Sequence, residues 1–155
     1  MFAPPLHPSL VHLPIGFALV LPLILGALFW SIATLRARPR NWAWGVLFAF
    51  LLVSAAVVAA STGESDAELL AGRMAQGPIR AHEEAATAVV TSSVAAFILA
   101  LGGLARTRRT RHLSMALALL ASVGVASLVL RACAAGTRLV YEHGAGDALR
   151  SQPPL

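Results

Sequence analysis

The chain has 155 residues, 57% of them hydrophobic and only 12% charged, with a mean hydropathy of +0.74. A water-soluble domain carries about 25% charged residues, so this composition excludes an ordinary soluble fold and places the chain in a bilayer. The formal net charge is +5, every basic residue is an arginine, and the single cysteine, Cys133, excludes an internal disulfide or a cysteine-rich metal site.

Four segments reach the roughly 20 apolar residues that a spanning helix needs. They cover 13–35, 42–61, 84–105 and 113–135. None alternates apolar and polar residues, so the predicted class is all-α: a single-domain integral membrane four-helix bundle rather than a barrel. The first segment opens on "HPSLVHLPIG" (7–16) with no basic residue before its apolar core, and is read as a retained helix, not a cleaved signal. Pro8 and Pro14 fix how the chain turns into it, and Pro22 predicts a kink. "STG" follows the second segment, with Gly63 expected to end that helix. "HEEAA" (82–86) opens the third, and "GTRLVYEHGAG" (136–146) follows the fourth. Small residues recur along helices two to four, among them Ala56, Ala59, Ser93, Ala96 and Ser122, and they allow close helix approach.

Charge sets the orientation. Arg36, Arg38 and Arg40 occupy the first connector, and Arg106, Arg108, Arg109 and Arg111 the third, with no acid in either. Such short connectors stay cytoplasmic. The loop 62–83, the tail 136–155 and both termini are therefore expected on the outer, periplasmic side of a bacterial inner membrane, where all seven acids also fall. The basic excess is a topological signal. The partner it implies is the lipid bilayer, not nucleic acid.

Four of the five histidines, His7, His12, His82 and His143, belong to that outer end, while His112 is read as a solvated residue of the arginine-rich connector. Helical bundles build cofactor sites from side chains that face one another. A helix N-terminus also disfavours imidazolium, which keeps His12 and His82 neutral as ligation requires. The predicted site is a b-type haem with His12 facing His82 as the axial pair; His7 and His143 serve a second haem or support the first. Arg73, Arg80 and Arg138 would meet propionates at the water edge. Arg131, one turn inside helix four, would find Glu64, Glu84 or a propionate. Tyr141 would anchor the interface or bond a ligand beside His143. The same histidines, with Glu64, Asp66, Glu83 or Glu84, would alternatively hold copper or zinc. "HEEAA" is not a zinc-protease motif, because position 86 is alanine where a second histidine is needed. A third alternative is a structural accessory subunit of a larger membrane complex. Neither a nucleophile–base pair nor a phosphate-binding loop points to a stand-alone enzyme.

The four motifs, in this order and across nearly the whole chain, resemble the bacterial four-helix membrane proteins grouped as domain of unknown function 2231. The resemblance selects the same histidines, His7, His12, His82 and His143. Members of that family also occur beside cytochrome c and Rieske-type domains. This implies a redox role, with a periplasmic cytochrome or a larger membrane redox complex as partner. Two positions depart from the pattern. Leu13 stands where phenylalanine is common, and a glycine pair is reduced to Gly136-Thr137, which touches the turn that presents His143.

Overall fold

A computed structural model of the chain describes residues 7–34, 37–70, 72 and 75–150. A short helix α1 (His7–Leu10) leads into α2 (His12–Thr34), and a 3-10 turn at Pro39–Trp42 leads into α3 (Ala43–Leu70). Helices α4 (Gln76–Gly102) and α5 (Arg108–Tyr141) follow, and α6 (Ala145–Arg150) closes the described chain. Each long helix packs on its neighbours in sequence and α5 returns onto α2, so the four form a square, with the α4–α5 contact the most extensive. Helices α2 to α5, with their short extensions, are long and apolar enough to cross a membrane.

The packing is that of a bundle in lipid. Its interior is narrow and built largely from small side chains, with Ala18, Ala49, Ala56, Ala96, Ala100, Ala118, Ser93 and Ser122 all buried. Bulk faces outward instead: Leu23 is 72% exposed, Leu120 68% and Ile98 61%. Without a hydrophobic drive between helices in lipid, small residues allow the close contact that holds the bundle together. The buried serines bond within their own helices, Ser93 Oγ to the Val89 carbonyl and Ser122 Oγ to the Leu119 carbonyl, each at 2.7 Å. No polar group is thereby left facing hydrocarbon at these positions.

The helices outrun the predicted spans. The second does not end at "STG": α3 continues through Gly63 to Leu70, because Ala-Glu-Leu-Leu (67–70) is built of strong helix formers. Helix α4 begins at Gln76, so most of the 62–83 loop is helical. Helix α5 likewise absorbs the start of the tail, up to Tyr141. Pro22 lies inside the continuous helix α2. His112 is not a solvated loop residue; it is half-buried in the first turns of α5, edge-on to Phe29 with ring centres 6.4 Å apart.

Candidate functional site

At the end of the bundle where α1 and the start of α4 meet, two imidazoles face each other. The rings of His7 and His82 have centres 6.0 Å apart and planes at 83°, and both side chains are half-buried. His7 Nδ1 lies 2.8 Å from the Ala59 carbonyl oxygen of α3. A carbonyl only accepts, so Nδ1 carries the proton and Nε2 of the neutral ring keeps its lone pair. Thr62 Oγ1 donates to the same carbonyl at 3.0 Å and stands 3.4 Å from His7 Nδ1, closing the seat from the side.

Glycine decides how near each ring comes to its neighbouring helix. A Cβ on Gly63 would stand 2.9 Å from His7 Cε1 and 3.1 Å from its Nδ1. On Gly136, a Cβ would stand 3.1 Å from His82 Cε1 and 3.4 Å from its Nδ1. The two seats repeat one construction. In α3 it runs Ala59-x-x-x-Gly63 and in α5 Ala132-x-x-x-Gly136, and each imidazole rests its Cε1–Nδ1 edge on the glycine. The Ala132 carbonyl lies beside His82 as Ala59 lies beside His7. There the hydrogen bond does not close, and His82 Nδ1 is buried without a partner among the described residues. One helix pair thus presents a ring whose tautomer is fixed, and the other presents a ring with an idle buried nitrogen.

Residues 3–149 match the family model described as "Predicted membrane protein (DUF2231)". The chain belongs to this family. No curated protein and no solved structure shows a significant match. In this DUF2231 protein, the first histidine of "HPSLVHLPIG", the "STG" triplet, the histidine of "HEEAA" and the glycine that opens "GTRLVYEHGAG" all converge on the ring pair.

The pairing differs from the expected one. His7, not His12, meets His82: the single turn of α1 folds His7 back over α3, whereas His12 and His143 are both exposed. Among the described residues, no three His, Cys, Asp or Glu side chains form a group that could hold a metal ion. Glu84 is taken by Arg80, whose Nε lies 2.9 Å from its carboxylate on the exposed face of α4. Arg131 and Arg138 are exposed, Tyr141 is 84% exposed, and Arg73 lies outside the described residues. Glu64, Glu68 and Glu83 line an open cleft of about 360 Å³ between α3 and α4. Sequence reasoning missed the two seats. Their signal is the alanine–glycine spacing in both α3 and α5; by sequence alone Ala59 reads as general packing, Gly63 as a helix end and Gly136 as part of the turn before His143.

Proposed function

We propose that this membrane protein is an electron-transfer subunit that holds one redox metal between His7 and His82, as the iron of a haem b. The observation that carries this reading is the facing pair itself: two half-buried imidazoles from different parts of the chain, 6.0 Å apart and nearly perpendicular. A metal ion about 2 Å from one nitrogen of each ring sets the ring centres roughly 6 Å apart. The Ala59 carbonyl plays the part that a carbonyl or carboxylate plays behind most ligating histidines, orienting the ring and leaving the other nitrogen for the metal.

The donor set fits a metal that asks the protein for two ligands. Zinc asks for three or four, and the described residues bring two together. Haem iron asks for two, and bound haem would supply one-electron chemistry at this end of the bundle. Here His7 and His82 would hold and orient the group, Gly63 and Gly136 would admit the rings, and the exposed Arg131 and Arg138 would be available to propionates. Copper is the second reading. It is favoured by how closely both rings sit against helix backbone, which leaves a bare ion more room than a macrocycle. With the arginine-rich connectors inside, the ring pair would face the periplasm of a bacterial inner membrane. There it would exchange electrons with a periplasmic cytochrome or a larger membrane redox complex.

A reduced-minus-oxidised absorption spectrum of protein purified in mild detergent tests this. A haem b spectrum lost in His7→Ala and His82→Ala, yet kept in His12→Ala, is the expected result. Stoichiometric copper without a Soret band would move the assignment to copper. A colourless, metal-free protein would sink both readings and leave the accessory-subunit alternative.

A further inference from the structure

At the opposite end of the bundle, Pro39, Arg40, Gly103, Leu104, Ala105 and Arg111 line a cleft of about 290 Å³. We propose that this cleft binds the phosphate headgroup of an anionic phospholipid, held between Arg40 and Arg111. Three features support it. The first is charge without a counter-charge. Residues 36–42 and 103–112 hold seven arginines and no acid, and the ion pair formed among the described residues, Arg80–Glu84, is at the other end. The second is an idle donor: Arg111 Nε is buried and has no hydrogen-bond partner among the described residues. A guanidinium presents Nε–H and Nη–H as a fork that two oxygens of one phosphate fill together. An unpaired buried N–H is costly, and a small turn of the Arg111 side chain, which lines the cleft, would bring it to a phosphate oxygen.

The third feature is rigidity. Trp42 is fully buried and donates from Nε1 to the Ala100 carbonyl at 2.8 Å, pinning the 3-10 turn that carries Arg40 against the end of α4. The turn that carries Arg40 is thereby tied to the end of α4, a short connector away from the first turn of α5 that carries Arg111. The surroundings suit a lipid better than a free ion. Leu104, on the cleft wall, is 47% exposed, and Trp44 and Leu113, at the adjoining starts of α3 and α5, are 63% and 59% exposed. These surfaces would take an acyl chain and the headgroup boundary, where tryptophan is favoured. Basic pockets between membrane helices on the cytoplasmic side bind such headgroups.

The test is native mass spectrometry of the full chain released from nanodiscs of phosphatidylcholine with and without phosphatidylglycerol. Wild type is expected to retain phosphatidylglycerol selectively. Arg40→Gln, at an exposed position that folding tolerates, and Arg40→Gln/Arg111→Gln should lower retention, the double variant by about tenfold or more. Arg106→Gln/Arg109→Gln, of equal charge change and outside the cleft, should leave it within about twofold. Equal loss in both double variants would show a diffuse basic surface and overturn the site, as would unchanged retention in Arg40→Gln and the cleft double variant. Displacement of the lipid by millimolar inorganic phosphate would overturn the headgroup as the occupant.

Discussion

The two ends of the bundle seat an aromatic ring in the same way and put it to opposite use. At the arginine end, the Trp42 ring lies on Gly103 and its Nε1–H bonds the Ala100 carbonyl. At the histidine end, the His7 ring lies on Gly63 and its Nδ1–H bonds the Ala59 carbonyl. Indole has one polar atom, so Trp42 is satisfied by that bond and its large apolar body stabilises the junction of two connectors. Imidazole has two, so His7 in the same seat keeps a lone pair, and it faces a second ring, His82, with an idle nitrogen. Similar backbone geometry yields a fastening at one end and a candidate ligand pair at the other. The difference lies in the ring.

This contrast predicts a steep asymmetry in stability. Trp42→Ala removes the largest fully buried side chain and should destabilise the bundle by about 3–5 kcal/mol, measured as thermal unfolding in detergent. His7→Ala, which opens a half-buried site near the chain start, should cost only about 1 kcal/mol, the worth of its hydrogen bond. Equal losses would break the comparison and make His7 a structural residue. Gly103→Ala comes next. Its Cβ would stand 2.7 Å from Trp42 Cδ1 and 2.8 Å from Cε2, in a buried place with no slack, and overpacking of this kind costs about 1–3 kcal/mol.

Much of this architecture can be read from the order of apolar and charged residues along the chain. Apolar runs and arginine-rich connectors locate four helices, because lipid permits only helices or closed barrels and hydropathy reports directly on that choice. The convergence of histidines at one end follows from the up-and-down order of the helices. Which histidines meet does not. His12 begins the long helix and is the natural first choice, but α1 adds a turn before it and carries His7 onto α3. Gly63 is similarly ambiguous. A glycine past an apolar run reads as a helix end, and its real role, admitting a ring from a distant segment, depends on a contact across 56 residues of chain. Nothing in the sequence distinguishes Trp42 from Trp44, and only tertiary packing separates the buried ring from the exposed one.

Gly63→Ala sharpens the comparison because its effects on stability and on binding should separate. Its Cβ would crowd His7 at 2.9 Å, but α1 is a single turn and can swing outward, so the stability change should stay below about 1 kcal/mol. Metal or haem affinity should fall by about tenfold to a hundredfold, as when an orienting contact behind a ligand is lost. Titration of the purified protein with haemin or cuprous ion, beside its melting curve, reads both. A loss of stability as large as that of Gly103→Ala, with affinity unchanged, would contradict the division of labour.

The smallest stability effect is expected at the residue that matters most to the proposed site. His82 Nδ1 is buried and unpartnered, and an unsatisfied buried polar atom costs about 1–3 kcal/mol. His82→Leu keeps much of the side-chain bulk and removes that atom, so the fold should lose less than about 1 kcal/mol or gain slightly. The same substitution should abolish the spectroscopic or elemental signature of the bound metal. A residue kept for packing cannot behave this way, since replacing it would harm the fold first. Marked destabilisation in His82→Leu, without loss of any bound metal, would assign the imidazole to structure and reduce the two ends of the bundle to a single kind of fastening.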